Sequence, residues 1–243
     1  MAVAGDAPCG APRGCFVTGT DTGAGKTVVA AAIAAALHAR GDRVAAWKPV
    51  VTGVDEPGHA DWPADHVLLA AATGAWPEDV TTATFGPAVS PHLAAELAEQ
   101  TLSLGVFTRA ARAAAVDKDL LVVEGVGGLL VPFGLFTVRD LAVALGLPLV
   151  VAARPGLGTI NHTLLTIEAA RAAGLEVRAV VLTPWPDEPS VLERSNRATI
   201  ERLGAVEVAT LATTTAAVDD LARVGATLAL DRLCANAKPH SQP

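Results

Sequence analysis

The chain has 243 residues, 51% of them hydrophobic, which is enough apolar material for one domain with a sizeable core. Its formal net charge is -7, and no basic tract or alternation of basic and aromatic residues occurs, so no nucleic-acid partner is expected. The three cysteines, Cys9, Cys15 and Cys234, are odd in number and scattered, which argues against a disulfide framework or a zinc site and fits a reducing cytoplasm.

The longest apolar stretch, roughly Leu141 to Ala153, is interrupted by a glycine and a proline. It is shorter than the roughly 20 residues of a membrane-spanning helix, so no membrane partner is expected. We predict a cytoplasmic protein with one domain over residues 1–243, whose ends at 1–13 and 236–243 are loose.

Short apolar runs alternate with alanine-rich segments along the chain. The predicted strands are Gly14–Thr18, Arg43–Trp47, Leu120–Glu124, Leu149–Ala153, Val177–Leu182 and Val206–Leu211. The predicted helices are Lys26–Arg40, Ala64–Ala72, Pro91–Gln100, Gly105–Val116, Thr137–Leu145, Thr159–Ala172, Ser190–Leu203 and Ala216–Leu233. This alternation predicts a three-layer α/β fold, in which helices cover both faces of a mostly parallel sheet. Ligands of such a sheet bind at the carboxyl ends of its strands.

The stretch VTGTDTGAGKT, residues 17–27, is similar to a phosphate-binding loop that is one residue too long. The pattern G-x-x-x-x-G-K-[ST] requires glycine at the position of Thr20, and the nearest earlier glycine is Gly19. A buried strand precedes the stretch and a helix follows it, which is the context that the motif demands. A glycine-rich turn without a ligand is the alternative.

The residues of this loop suit a nucleotide. Gly23 and Gly25 can adopt positive φ, so that backbone N–H groups face an anion, and the helix start adds partial positive charge. Lys26 is then expected at the terminal phosphates, with the Thr27 hydroxyl on Mg²⁺.

Three charged residues outside the loop are candidates for the same site. Lys48 and Glu124 each end a predicted strand, where Lys48 would meet phosphate and Glu124 would approach Mg²⁺. We expected Pro49 to close the strand that carries Lys48. Asp65 lies in the first turn of a predicted helix, where an acid is favoured in any case, and Asp61 competes for its role.

Six blocks occur in order along the chain: FVTGTDTGAGKT, WKPVVTG, ADHVLLA, SPHLAA, LVVEGVGGLLVP and GTINHTLLT. Taken together, they resemble the dethiobiotin synthetase family, whose members have a P-loop NTPase fold and a lengthened phosphate loop. The partitioning-type ATPases of related fold carry an additional lysine early in the loop, which this chain lacks.

The resemblance implies a reaction in which 7,8-diaminopelargonate and CO₂ form a carbamate that ATP then phosphorylates. The second amine closes the ring of dethiobiotin and releases phosphate. It further implies that Mg²⁺ is the cofactor and that ATP, or another nucleoside triphosphate, is the co-substrate.

The family pattern also assigns roles to matched residues. Lys26 and Lys48 would be catalytic, and Thr27, Asp65 and Glu124 would hold the metal. The implied nucleotide-binding residues are Thr22, Gly23, Ala24, Gly25, Lys26, Thr27, Val28, Asp65, Glu124, Gly125, Val126, Gly127, Thr183 and Pro184. The implied substrate-binding residues are Thr22, Thr52, Gly158, Thr159, Ile160 and Asn161.

In the family, the segment matched by Gly158 to Asn161 crosses a dimer interface to bind the substrate carboxylate, so a homodimer is implied. The base contact departs from the pattern, because Thr183 and Pro184 stand where relatives often have an Asn-Asp pair. The alternatives are a partitioning-type nucleotide-switch ATPase, which would dimerise with nucleotide, and a kinase of a small acid.

Overall fold

A seven-stranded parallel sheet forms the centre of the computed structural model, which describes residues 13–57 and 62–236. The order across the sheet is β3-β2-β4-β1-β5-β6-β7, and every strand pair is parallel. The strands are β1 (Gly14–Gly19), β2 (Val44–Thr52), β3 (Thr81–Phe85), β4 (Leu120–Gly128), β5 (Leu149–Ala153), β6 (Val177–Trp185) and β7 (Glu207–Ala212).

Helices cover the sheet, as predicted for a three-layer α/β fold. They are α1 (Lys26–Ala39), α2 (Asp65–Thr73), α3 (Pro77–Val80), α4 (Pro91–Leu97), α5 (Leu104–Ala114), α6 (Val138–Leu145), α7 (Thr159–Ala172), α8 (Val191–Gly204), α9 (Val218–Gly225) and α10 (Leu230–Leu233). No helix among the described residues is long and apolar enough to cross a membrane. The predicted loose ends, apart from Arg13 and Asn236, lie outside the described residues, as does Cys9.

The alternating burial of the strands explains how the sheet is covered. In β1, Cys15 and Val17 face the apolar cluster under α1, whereas Phe16 faces a second cluster that contains Phe107 of α5 and Leu141 of α6. Since both faces of the strand are buried, it reads as a continuous apolar run, which is typical of a parallel sheet between two helix layers.

Two elements were absent from the prediction, and one predicted helix was wrong. β3 lies at the edge of the sheet, and its residues alternate between partly buried and exposed, so it lacks the apolar run of an inner strand. The short helix α3 was also missed. The predicted helix Ala216–Leu233 is instead α9 and α10, because the chain turns between Ala226 and Ala229, where backbone N–H groups bond carbonyls two or three residues back.

The prediction that Pro49 ends the second strand was also wrong, since β2 continues to Thr52. β2 pairs with β4 only as far as Trp47, and from Lys48 onward it pairs with β3. Pro49 therefore lies where β2 has left β4, so the missing N–H costs no bond to that neighbour. As a consequence, Lys48 lies inside a strand at the point where two central strands separate.

Helices α1 and α9 approach each other closely at Gly225. A Cβ on Gly225 would lie 2.0 Å from the carbonyl oxygen of Ala32 and 3.0 Å from the Cβ of Ala36. Both partners belong to α1, whose alanines from Ala30 to Ala36 are buried almost completely. The small residues on the two helices therefore set the position of α1, the helix that begins at the glycine-rich loop.

We expect Gly225→Ala to lower the free energy of unfolding by about 1–3 kcal/mol, because the added methyl group must push α9 away from α1. The matched control is Gly105→Ala in α5, where the new Cβ would come no closer than 3.4 Å to Arg109. That change should be stabilising by up to about 1 kcal/mol, since alanine is the better helix former. Urea unfolding followed by circular dichroism measures both, and equal effects would contradict the close approach.

Candidate active site

The candidate residues converge at the carboxyl edge of the sheet, beside the loop between β1 and α1. Glu124 is in β4, which lies between β1 and β2, so its neighbours come from both sides. Lys26 and Thr27 open α1, Lys48 comes from β2, and Asp65 begins α2. The parallel arrangement thus assembles the site from segments that are distant in the sequence.

The loop has the conformation that its glycines predict. Gly23 and Gly25 have φ values of 72° and 87°, in the left-handed region that favours glycine. A Cβ on Gly25 would also lie 2.5 Å from the Cγ2 of Thr183, so no larger residue fits there. Lys26 is 7% exposed, and its ammonium donates to the backbone oxygen of Asp21 over 2.9 Å.

A buried cluster of charges lies beneath the loop. The Nζ of Lys48 is 2.5 Å from Oε1 of Glu124 and 2.7 Å from Oδ2 of Asp65. The hydroxyl of Thr27 lies 2.9 Å from the same Glu124 oxygen and 3.0 Å from Oδ1 of Asp65. Lys48 is 3% exposed and Glu124 is fully buried, so these two charges depend on each other and on Asp65 for neutralisation.

The surroundings shift the pKa values of all four charged groups. Burial lowers the pKa of Lys26, an effect that Glu124 partly opposes. Burial also acts to lower the pKa of Lys48, but the attraction of Glu124 and Asp65 outweighs it, so the net pKa is raised and the ammonium stays charged. For Asp65 the charge of Lys48 overcomes burial and the pKa is lowered, whereas burial raises the pKa of Glu124.

The donor set fits a magnesium ion that is shared with phosphate groups. Oε2 of Glu124 is buried and has no hydrogen-bond partner among the described residues, which is costly for a carboxylate oxygen. Asp65 and the Thr27 hydroxyl present further oxygens beside it. No group of three or more His, Cys, Asp or Glu side chains suited to a metal occurs among residues 13–57 and 62–236. One or two carboxylates plus substrate phosphates is the usual environment of Mg²⁺.

Two cavities are lined by Gly23 and Gly25 of the loop. The larger, of about 830 Å³, extends from the loop across β2 and β4 to the start of α4. Of the predicted site residues, it is lined by Thr22, Gly23, Gly25, Lys26, Thr27, Val28, Lys48, Thr52, Asp65, Glu124, Val126 and Gly127. The smaller, of about 330 Å³, lies toward β6 and β7, and Thr183 and Pro184 line it together with Gly23, Gly25 and Val28.

The remaining predicted residues are elsewhere. Ala24 is 1% exposed and Gly125 packs against Phe16, so neither is among the residues that line the two cavities. The segment from Gly158 to Asn161 forms the start of α7, away from both cavities of this chain. Asp61, the competitor of Asp65, lies outside the described residues.

Several lining residues were missed by the sequence analysis. Trp62 lines both cavities, and Ser90 with Pro91 closes the larger one at the start of α4. The only signal for the last two was the block SPHLAA. Arg154 lines the smaller cavity, and a charged residue directly after β5 is the signal that identifies it.

We expect Lys48→Met to destabilise the fold increasingly as the pH rises. Without Lys48, the folded-state pKa of Glu124 rises further above its unfolded value of about 4.3, so stability is retained near that pH and lost above it. Near pH 8 the loss should reach about 3 kcal/mol, and near pH 5 it should be smaller. Urea unfolding across this pH range is the measurement.

The double variant Lys48→Met with Glu124→Gln is the control for that pH dependence. Asp65 and Lys26 are present in both variants, so the difference isolates Glu124. The double variant should recover most of the stability at high pH. A loss that is the same at every pH, or unchanged by Glu124→Gln, would contradict the interpretation.

The chain is similar to known proteins in sequence and in fold. A family model described as "AAA domain" matches residues 13–214. An ATP-dependent dethiobiotin synthetase of Rhodococcus erythropolis is 43% identical over 185 residues, covering 75% of this chain and 80% of the relative. One from Anaeromyxobacter sp. (strain Fw109-5) is 46% identical, covering 74% and 81%. A ParA family ATPase from Chlorobium tepidum TLS has a similar fold, with a TM-score of 0.53 at 13% identity, covering 91% of this chain and 95% of that structure.

The likeness to the ParA protein concerns the fold alone, whereas the dethiobiotin synthetases share close to half of the aligned residues and most of their length. By this similarity, and by the phosphate loop and buried charge cluster described above, the chain belongs to the ATP-dependent dethiobiotin synthetase family.

Proposed function

We propose that the chain joins CO₂ to 7,8-diaminopelargonate and closes the ring of dethiobiotin at the expense of a nucleoside triphosphate. The observation that carries this function is the position of Lys48. It lies between Glu124 and Asp65 in the cavity that the phosphate loop borders, so a second ammonium is available beside the one at the loop. A partitioning-type ATPase only binds and hydrolyses its nucleotide, so Lys48 would have no second substrate to stabilise there.

The reaction has three steps in the proposed site. One amine of the substrate adds to CO₂ and gives a carbamate. A carbamate oxygen then attacks the terminal phosphorus, and the nucleoside diphosphate leaves. Finally the second amine attacks the carbonyl carbon of the mixed anhydride, which closes the urea ring and expels phosphate.

The protein contributes position and charge. Lys26 at the loop and Lys48 in the cavity stabilise the negative charge on the carbamate and on the transferring phosphoryl group. Thr22 and Thr52 line the same cavity, where their hydroxyl groups would hold the substrate near its reacting amines. Val126 and Gly127, which follow Glu124 in β4, line the cavity as well.

Mg²⁺ belongs to the same proposal, with Thr27, Asp65 and Glu124 as its protein ligands. A bound Mg²⁺ neutralises part of the charge on the phosphate groups. Its arrival would give Oε2 of Glu124 the partner that the described residues do not supply. A cytoplasmic location, in which the thiols of Cys15 and Cys234 remain free, is also part of the proposal.

The nucleotide base is proposed to occupy the smaller cavity, beside Thr183 and Pro184. Ala24 and Gly125, which line neither cavity, would then support the nucleotide through the backbone of the loop and of β4. Relatives often have an asparagine amide at the position of Thr183. Thr183 has only a hydroxyl group, so its contact with the base would differ from theirs.

A homodimer completes the proposed site. Gly158 has a φ of 90° and precedes α7, a helix of 14 residues whose first turn carries no acidic residue. The free N–H groups at the start of this helix suit a carboxylate, although the N–H of Thr159 already bonds the carbonyl oxygen of Gly156. Thr159, Ile160 and Asn161 do not line the two cavities beside Gly23 and Gly25 of their own chain. The substrate carboxylate would therefore be bound by this helix start in a second copy.

Dethiobiotin should form only when 7,8-diaminopelargonate, bicarbonate, Mg²⁺ and a nucleoside triphosphate are all present, with one phosphate released per ring closed. Mass spectrometry of the product and a phosphate assay measure this. Phosphate release that is indifferent to the diamine and bicarbonate would instead favour the partitioning-type alternative.

Lys48→Ala should lower the rate of ring closure by roughly 10²- to 10³-fold, the effect of losing one stabilising group in a transition state. Nucleotide affinity should change little, since Lys26 and the loop remain. The matched control is Arg109→Ala, an exposed change on α5 that should leave the rate unaltered. Unchanged turnover in Lys48→Ala would exclude this residue from the mechanism.

Mixing two inactive variants tests the shared site. Asn161→Asp places a negative charge at the helix start that would bind the substrate carboxylate, so it should abolish that binding. In a mixture of Lys48→Ala and Asn161→Asp chains, a mixed dimer carries both defects in one site and none in the other. About a quarter of all sites should then be intact after random exchange, and activity should return to that extent. If activity stays absent while native mass spectrometry detects mixed dimers, the site is built within one chain.

A further inference from the structure

The smaller cavity contains a basic residue that the proposed mechanism does not use. Arg154 follows β5 directly, and its exposed side chain lines this cavity together with Gly23 and Gly25 of the loop. β5 pairs with β1 on the side opposite β4, so Arg154 and Lys48 approach the loop from opposite sides. The loop is thus flanked by cations on both sides.

Arg154 differs from the other basic residues of the two cavities in having no partner. Lys26 donates to the backbone of Asp21, and Lys48 is paired with Glu124 and Asp65. Within residues 13–57 and 62–236, the guanidinium of Arg154 forms neither a hydrogen bond nor an ion pair. Its five N–H donors are therefore available for a ligand.

The charge around the loop gives Arg154 a role. Lys26 and Lys48 face two carboxylates, Glu124 and Asp65, so these four side chains have no net charge with which to attract a phosphate chain. Among residues 13–57 and 62–236, Arg154 is the one charged side chain that lines the smaller cavity. It is therefore the cation that this cavity presents to a ligand.

The distance to the loop favours phosphate over the base as the ligand of this side chain. A guanidinium nitrogen of Arg154 is 3.9 Å from the position that a Cβ on Gly23 would occupy, so the group lies directly over the loop backbone. The N–H groups of that backbone are the ones expected to face phosphate oxygens. A guanidinium in this place can bind two oxygens of one phosphate group at once.

We propose that Arg154 binds the phosphate chain of the nucleotide from the side opposite Lys48, an inference that rests on the proposed function. It is a nucleotide-binding residue remote from the reacting carbamate. Its removal therefore weakens nucleotide binding and leaves the chemical steps nearly unchanged, in contrast to the removal of Lys48.

Calorimetric titration of ATP, GTP, CTP and inorganic triphosphate into the magnesium-loaded protein tests this. Arg154→Ala should raise the Kd by about tenfold for all four ligands, as expected for one charge-assisted contact at an exposed position. The Kd of Arg154→Lys should lie between those of the wild type and Arg154→Ala, because lysine keeps the charge but lacks the planar set of N–H donors. In turnover, the KM for nucleotide should rise by a similar factor, with kcat within about twofold.

Arg109→Ala is the matched control, since Arg109 is also exposed but lines neither cavity. If Arg154→Ala binds all four ligands as this control does, the inference is wrong. It is equally overturned if the loss depends on the base or is absent for inorganic triphosphate, because Arg154 would then contact the base. If the wild-type protein binds none of the four ligands, the proposed function is wrong as well. If the wild type binds them and only the effect of Arg154→Ala is missing, the inference about Arg154 alone is wrong.

Discussion

The site depends on one fully buried carboxylate, that of Glu124. Burying an ionised group costs several kcal/mol unless its oxygens are hydrogen-bonded. Within the part of the chain that the structure describes, only Oε1 has partners, namely Lys48 and Thr27. These partners come from β2 and α1, so the strand and the helix must both be in place before Glu124 can be buried at low cost. The charge cluster therefore ties the site to the assembly of the sheet.

The separation of β2 from β4 creates the space for that cluster. Pairing between the two strands ends at Trp47 and Val123, one residue before Lys48 and Glu124 respectively. Beyond that point β2 follows β3. Side chains on the separating strands can thus meet across the gap, and the gap continues outward as the larger cavity. The partner of β2 beyond this point is therefore β3, the edge strand that the sequence analysis did not predict.

The predictable parts of the molecule are those whose signal is local. The loop, α1 and the apolar run before Glu124 were all recognisable, because glycines, helix start and buried strand each leave a pattern over a few residues. β3 could not be recognised, since an edge strand of threonine and alanine needs its neighbour β2 to be stable. Trp62 was missed for a related reason: nothing near it in sequence indicates that it faces two cavities formed by other segments. Arg154 does have a local signal, its place directly after β5, but that place alone does not show which cavity the side chain lines.

The same loop forms a wall of both cavities, and this limits how a nucleotide can lie in the proposed site. Gly23, Gly25 and Val28 line each cavity, and Thr183 packs against Gly25 so closely that only a hydrogen atom fits between them. A ligand that reaches from the smaller cavity to Lys48 must therefore pass over the outer surface of the loop, along the backbone of Gly23. Arg154 stands on that path before Lys48 does, so the middle of the phosphate chain meets a cation before its end reaches the reacting groups.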